Sequence, residues 1–167
     1  AHRALEAAGE AGSTARARLM ESFSEDHDAV AIAWRAVLGP DPTNIEAAGG
    51  LERALSRKGS REGLADVHAL LADNVPDASI RAMHSLLAGH LYEHQEEQDK
   101  AIEYYEKSLA IKLKTRGDEH PFVAISYNNL GNAYGNKGEY DKAIEYHEKS
   151  LAIYLKTRGD EHPDVAS

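Results

Sequence analysis

The clearest pattern in the chain is an apolar stripe with helical spacing. Between residues 100 and 116 the apolar side chains lie three or four positions apart, and polar residues fill the positions between them. Such spacing is typical of an α-helix that packs one face against a core. The stripe consists of Ala101, Ile102, Tyr105, Leu109 and Leu113.

A second helix is predicted from Pro121 to Lys137, where apolar residues again follow helical spacing. Proline suits the first turn of a helix because its missing N–H would have no helical partner there. Gly117 before this helix and Gly138 after it are predicted to end helices in a left-handed conformation. The pattern therefore predicts a unit of helix, tight turn and helix.

This unit is repeated along the chain. The segment that begins at Asp99 returns 42 positions later with two differences in 23 residues, His147 in place of Tyr105 and Tyr154 in place of Lys112. Repetition at this spacing indicates stacked units, because one unit cannot bury its apolar face alone.

The first half of the chain is less regular. Residues 1–10 are rich in alanine and are predicted to be the tail of a preceding helix, followed by a weaker helix over residues 11–23. The acidic cluster at residues 24–28 is typical of a turn with helix-capping groups. A helix through Trp34 then ends at residues 39–42, where two closely spaced prolines cannot continue it.

The repeat period predicts how residues 11–167 are divided into units. Residues 11–81 are predicted to hold two divergent units of roughly 34 residues, and residues 82–167 two units of 42 residues. The first helix of the third unit is expected over residues 79–98. Residues 162–167 repeat the opening of a first helix, so we expect the helix over residues 141–158 to leave an apolar face uncovered and open to self-association.

Composition supports an all-α fold. Tyrosine occurs eight times but Phe and Trp only three times together, and 42% of the residues are hydrophobic. The formal net charge of −9 makes nucleic acid and anionic membranes unexpected partners. We also expect no membrane span and no secretory signal, and hence a cytoplasmic location.

Candidate catalytic and metal-binding patterns are weak. His90 and His94 share a helix face at a spacing that can hold Zn²⁺, but two imidazoles alone make only an adventitious site. His120 precedes Pro121 and is expected to cap or pack between repeats. The chain has no cysteine, and we find no nucleophile, phosphate loop or HExxH motif. We therefore predict no enzyme activity, no metal and no cofactor.

The repeated unit resembles the tetratricopeptide repeat (TPR), whose signature is an aromatic residue, Leu-Gly, Tyr, Gly, and then Ala, an aromatic residue and Ala. The matching positions are Tyr127, Leu130, Gly131, Tyr134, Gly138, Ala143, His147 and Ser150, of which the last two depart mildly from the signature. The 42-residue period is similar to that of kinesin light chains and related bacterial TPR proteins.

The resemblance implies a right-handed superhelical solenoid of antiparallel helix pairs, with about four repeats. In this family the first helices line an inner wall that holds peptides. The residues that fall on that wall, and that we predict to bind a peptide, are Met83, Leu86, Leu87, His90, His94, Asn128, Asn129, Asn132 and Asn136. Asparagine amides can pair with the backbone of an extended peptide. Some members of this family bind the C-terminal tails of chaperones through a carboxylate clamp that needs a lysine on the inner wall. At the position of the first clamp lysine this chain has Asn128.

The sequence thus predicts a scaffold that binds a peptide or partner protein in a concave groove. Two alternatives remain open at this point. One is a self-assembling repeat module, either a dimer or an end-to-end stack through the exposed last helix, and the other is the sensor arm of a larger signalling protein.

Overall fold

A computed structural model describes residues 2–61 and 63–161, with the side chains of residues 2–8, 10, 11 and 158–161 outside that description. The described residues form helices without any strand, which confirms the predicted all-α fold. The helices are α1 (His2–Phe23), α2 (His27–Leu38), α3 (Ile45–Lys58), α4 (Leu64–Asn74), α5 (Ala78–His94), α6 (Gln98–Arg116), α7 (Pro121–Lys137) and α8 (Tyr140–Glu161).

The chain forms two compact units. Helices α1–α4 belong to the unit Ala1–Pro76, and helices α5–α8 belong to the unit Asp77–Ser167. The predicted start of a further repeat at residues 162–167 lies outside the described residues.

In the first unit, α1 is one continuous helix, so the break predicted near residue 10 is wrong. The segment has no proline to interrupt it, and its many alanines favour the helix strongly. The break predicted at residues 24–28 is confirmed at 24–26, whereas His27 and Asp28 already belong to α2. The Asp26 carboxylate caps α2 by accepting hydrogen bonds from the backbone N–H groups of Asp28 and Ala29, at 3.1 and 3.0 Å.

The core of the first unit is built around Trp34. Its ring is buried, and its Nε1–H donates to Glu21 of α1 at 3.2 Å. The same carboxylate accepts a hydrogen bond from Arg53 of α3 at 2.6 Å, and that bond is the main cause of the lowered pKa of Glu21. Gly50 of α3 lies directly against the indole, where a Cβ would be 2.2 Å from the ring atom Cε2. One carboxylate thus links α1 both to α2, which carries the indole, and to α3, which packs against it.

In the second unit the sequence repeat becomes a structural repeat. The Ser108 hydroxyl of α6 donates to the backbone carbonyl of Ala82 in α5 at 2.9 Å. Forty-two positions later, the Ser150 hydroxyl of α8 donates to the carbonyl of Ala124 in α7 at 2.8 Å. Both hydroxyls are buried, so each bond satisfies a group that would be costly to leave unpaired.

In both helix pairs of this unit, α5–α6 and α7–α8, the distance between the helices is set by a side-chain ring that packs against a glycine. A Cβ on Gly89 of α5 would lie 2.5 Å from the Tyr105 ring of α6, and one on Gly131 of α7 would lie 2.7 Å from the His147 ring of α8. Separations this short do not occur between real side chains, so only glycine fits at these two contacts.

The turns of the second unit follow the sequence rules in part. Gly117 ends α6 with a positive φ of 84°, but its ψ of 164° lies outside the left-handed helical conformation predicted for it. Gly138 ends α7 with a left-handed φ of 85°, as predicted, and the His120 ring caps α7 by accepting from the Phe122 N–H at 3.1 Å. The expected helix over residues 79–98 ends early, at His94. The cause is Glu96, which occupies the position equivalent to Gly138 and has a φ of 63°.

We expect Gly50→Ala to destabilise the protein by about 1–3 kcal/mol, because the new methyl group would clash with the Trp34 ring in a close-packed core. Gly49→Ala is the matched control on the same helix. The nearest atom to a Cβ there is the flexible Arg53 Nη1 at 3.4 Å, so alanine should stabilise α3 by about 0.5–1 kcal/mol. The free energy of unfolding of both variants, measured in urea, tests this prediction. Equal changes in the two variants would contradict the close packing of Gly50 against Trp34.

We expect Glu96→Gly to stabilise the second unit by about 0.5–1 kcal/mol. A left-handed residue with a Cβ costs roughly 1–2 kcal/mol, and the greater flexibility of glycine in the unfolded chain offsets about half of that. Gly138→Ala should have the opposite effect, since it places a Cβ at the equivalent turn. Thermal unfolding shows whether each variant is more or less stable than the unaltered chain. A loss of stability in Glu96→Gly would show that the turn at Glu96 is not strained.

Candidate functional site

Helices α5 and α7 lie side by side and run in the same direction. Met83 and Leu86, in the first turns and at the middle of α5, line a cavity together with Phe122 at the start of α7. Near the other ends of the two helices, Asn136 Nδ2 donates to Glu93 Oε1 at 2.8 Å. Two first helices of successive units therefore present one continuous face, which we call the α5/α7 face.

The nine predicted peptide-binding residues all lie on these two helices. Most are exposed, and Leu86 and Asn129 are half-buried; the exposed ones are Met83, Leu87, His90, His94, Asn128, Asn132 and Asn136. The structure brings Met83 and Leu86 together at the cavity. In the described part of the chain the amides of Asn128, Asn129 and Asn132 make no hydrogen bond, and those of Asn128 and Asn132 are exposed.

A hydrogen-bond network supports the far end of this face. The Tyr105 hydroxyl of α6 donates to Glu93 Oε2 at 2.7 Å and lies 2.8 Å from His90 Nδ1. Because the single hydroxyl proton goes to the carboxylate, the His90 Nδ1–H is the donor in the second contact. The other carboxylate oxygen of Glu93 holds Asn136. Tyr105 thus orients residues on both α5 and α7.

The pKa shifts of this network follow from burial. Burial lowers the pKa of His90, an effect that the nearby Glu93 carboxylate opposes. A neutral His90 that donates through Nδ1 keeps Nε2 as a hydrogen-bond acceptor. Burial, reinforced by the bond to Glu93, raises the pKa of Tyr105 and keeps its hydroxyl protonated. Tyr105 and Asn136 are thus the neutral donors to Glu93, and His90 is bonded to Tyr105.

The sequence analysis placed Tyr105 in the core stripe and missed its role in this network. The only signal in the sequence is that Tyr105 is one of the two places where the 42-residue repeat changes, since His147 stands at the equivalent position.

The cavity at the other end of the face has a volume of about 330 Å³ and combines apolar and cationic groups. Lys112 and Arg116 of α6 line it beside Met83, Leu86 and Phe122. This volume falls within the range of pockets that hold small ligands or single side chains.

The cations of the cavity have no acidic partner in the described part of the chain. Lys112 Nζ is 2.9 Å from the Ser126 hydroxyl, and burial is the main cause of its lowered pKa, with the charge of Arg116 second. The Arg116 guanidinium lies 5.2 Å from the centre of the Phe122 ring. Sequence reasoning missed Lys112 as well, although it is the second position where the repeat changes, to Tyr154.

Two further cavities, of about 440 and 310 Å³, lie along α1 and α2 in the first unit. Neither contains a residue that the sequence analysis selected. They lack the combination of exposed amides, apolar side chains and cations that distinguishes the α5/α7 face.

Within residues 2–61 and 63–161, no group of three or more His, Asp or Glu side chains is arranged to hold a metal ion. His90, one of the two histidines with metal-ligand spacing, uses Nδ1 to bond Tyr105. None of the described helices is both long enough and apolar enough to span a membrane.

Solved structures with a similar fold contain helical repeats. They include a putative kinesin light chain from Podosopora anserina with nearly identical TPR-like repeats, at 21% identity and a TM-score of 0.57, covering 91% of this chain and 77% of that one. BtubC (BKLC) from P. vanneervenii is 22% identical with a TM-score of 0.53, over 91% of this chain and 57% of BtubC.

A MamA RS-1 double mutant is 17% identical with a TM-score of 0.53, covering 89% of this chain and 76% of that one. At these identities the likeness shows the fold alone. This chain spans less than two thirds of the length of BtubC.

Sequence comparison identifies the family directly. No curated protein matches the chain. The sequence model of the tetratricopeptide repeat matches residues 79–156 and, in a second overlapping match, residues 128–167. These matches cover more than half of the 167 residues, including all of the duplicated segment described above. The chain therefore belongs to the tetratricopeptide repeat family.

Proposed function

We propose that this protein is a non-enzymatic cytoplasmic scaffold that binds an extended segment of a partner protein along the α5/α7 face. Tetratricopeptide repeats generally serve as protein–protein interaction scaffolds. The observation that carries the proposal is the row of exposed amides on α7 beside exposed apolar residues on α5.

The spacing of the amides suits a peptide backbone. Asn128, Asn132 and Asn136 are four residues apart, which corresponds to about 6 Å along an α-helix. Two residues of an extended chain span about 6.6 Å. Successive amides along α7 can therefore each pair with every second residue of a peptide strand that lies along the helix. An amide both donates and accepts, and it can therefore pair with backbone groups whatever the peptide side chains are.

The cavity supplies a means of selection at one end of this track. Met83, Leu86 and Phe122 offer an apolar surface for one side chain of the bound segment. Lys112 is half-buried and has only the Ser126 hydroxyl as a polar partner among the described residues, so a carboxylate would match its charge. We therefore expect the bound segment to carry an apolar residue next to an acidic one.

The test is a fluorescence titration of extended peptides with the intact chain. The peptides carry one large apolar residue flanked either by Asp and Glu or by Lys, and we expect the acidic set to bind more tightly. Asn128→Ala/Asn132→Ala should weaken binding at least about tenfold, because each lost hydrogen bond contributes about 1 kcal/mol. Both positions are exposed on a helix that alanine favours, so the fold is retained.

Ser56→Ala, at an exposed position of α3 in the first unit, is the control and should bind as the unaltered chain does. Indistinguishable binding by the double asparagine variant would reject the α5/α7 face as the site. Tighter binding of the lysine-flanked peptides would reject the role given to Lys112.

A further inference from the structure

The cavity of the α5/α7 face is lined by two cations from the same helix. Lys112 and Arg116 of α6 are four residues apart, and this spacing makes their side chains neighbours on the helix surface. Like charges in these positions repel each other, and after burial the charge of Arg116 is the second cause of the lowered pKa of Lys112. An anion in the cavity would therefore interact favourably with both residues.

No carboxylate lines this cavity within the described residues. The acidic residues nearest in sequence, Asp77, Asp118 and Glu119, are not among its walls. The Asp77 carboxylate instead caps α5 by accepting from the Ile80 N–H at 2.9 Å, and Glu119 pairs with Lys156. Apart from the two cations, the walls consist of apolar and hydroxyl-bearing residues, namely Ser79, Ala82, Met83, Leu86, Thr115 and Phe122.

The two cations have most of their hydrogen-bond donors available. The Ser126 hydroxyl donates to the Phe122 carbonyl at 3.1 Å, so Lys112 Nζ is the donor in its own 2.9 Å contact with that hydroxyl. This contact uses one of the three N–H groups of the ammonium. In the part of the chain that the structure describes, the Arg116 guanidinium makes no hydrogen bond. Its planar fork suits the oxygens of a phosphate or carboxylate.

The second cation is specific to this repeat. Arg116 has an arginine as its equivalent at position 158, but Lys112 has a tyrosine at position 154. Lys114 and Arg116 lie in the last turn of α6, where cations interact favourably with the helix dipole. Lys112 lies before that turn and is half-buried, and a charge that is removed from water without a partner is costly. A bound anion would offset that cost.

We propose that the cavity binds a phosphorylated serine or threonine of the partner segment. This proposal rests on the proposed function, because the phosphate is carried by the segment that binds along the α5/α7 face. A carboxylate has one charge and matches Lys112 alone, whereas a phosphate monoester carries about −1.5 to −2 at pH 7 and matches both cations. Its three terminal oxygens accept from Lys112 and Arg116 together, while the apolar residue of the segment lies against Met83, Leu86 and Phe122.

The source of the phosphate follows from the charge of the whole chain. A formal net charge of −9 disfavours polyanions such as nucleic acid and anionic membranes. A single phosphate requires only a local pair of cations. In the proposed function the exposed amides of α7 hold the polypeptide that carries it.

The test is a fluorescence titration of the intact chain with three peptides. Each has one large apolar residue, followed at both of the next two positions by phosphoserine, by glutamate or by serine. The first of these positions is adjacent to the apolar residue, and the second shares its side of an extended chain. We expect the phosphoserine peptide to bind at least about tenfold more tightly than the glutamate peptide, because it adds charge-assisted hydrogen bonds to Arg116.

Arg116→Gln should lower the ratio of phosphoserine to glutamate affinity at least about fivefold. Arg57→Gln is the matched control, since Arg57 is an exposed arginine in the last turn of α3 in the first unit, and it should leave the ratio unchanged. Equal binding of the two peptides by the unaltered chain, or equal effects of the two arginine variants, would overturn the proposal.

These outcomes are separate from those that test the proposed function. Equal phosphoserine and glutamate affinities that both fall in Asn128→Ala/Asn132→Ala would reject the phosphate site and retain the α5/α7 face. Phosphoserine binding that Arg116→Gln weakens and the double asparagine variant does not would retain the phosphate site and reject the amides.

Two further measurements concern Lys112 and the free ion. Lys112→Tyr introduces the residue that the equivalent position of α8 already has, so the helix is retained, and it should weaken binding of the phosphoserine peptide at least about tenfold. Inorganic phosphate, titrated by calorimetry, should bind far more weakly than that peptide. Equal affinity for inorganic phosphate and the phosphoserine peptide would overturn the assignment to a protein segment.

Discussion

The close approach of two helices at a glycine is the constraint on which the second unit depends. Tyr105 lies on Gly89, and His147 lies on Gly131, at distances that exclude any larger residue. This contact fixes the distance between the helices of each hairpin, and it brings a buried serine within hydrogen-bonding reach of a backbone carbonyl. The packing of α7 against α6 brings α7 to α5, and the two helices together form a surface that neither provides alone.

The chemistry of that surface is concentrated where the repeat is imperfect. Tyr105 has a hydroxyl that orients His90 and Glu93, whereas His147 at the equivalent position lies on its glycine without any such network in the described residues. Lys112 brings a positive charge into the cavity, where the next copy has a tyrosine. The ring at position 105 or 147 packs on its glycine in both copies, but the two changed positions make the α5/α7 face chemically distinct.

The sequence predicted the features that depend on local rules. The cap at Asp26, the start of α7 at Pro121 and the left-handed turn at Gly138 each follow from the conformational preference of one residue. The same reasoning could not find the turn at Glu96, because glutamate normally favours a helix and nothing local indicates a positive φ. Alignment of the two repeats does indicate this turn, because position 96 is equivalent to position 138, where glycine was predicted to end the helix.

The candidate site was predictable only in its outline. The resemblance placed nine residues on α5 and α7, and the structure has most of them exposed there, although their binding of a peptide stays a prediction. The partners of these residues were not predictable, since a hydrogen bond such as that from Tyr105 to Glu93 depends on distances between helices. Periodicity reports which side of a helix is buried, but it does not report which polar atoms meet across the gap.

The two-sided character of the second helix in each 42-residue unit has a consequence for how such chains change length. In α6 one side packs on α5 through Tyr105, and another receives α7 through Glu106. Because each unit carries both surfaces, removing or adding one whole period leaves every junction with an equivalent neighbour. Unequal crossing-over between the near-identical stretches could thus shorten or lengthen the protein without redesigning any interface.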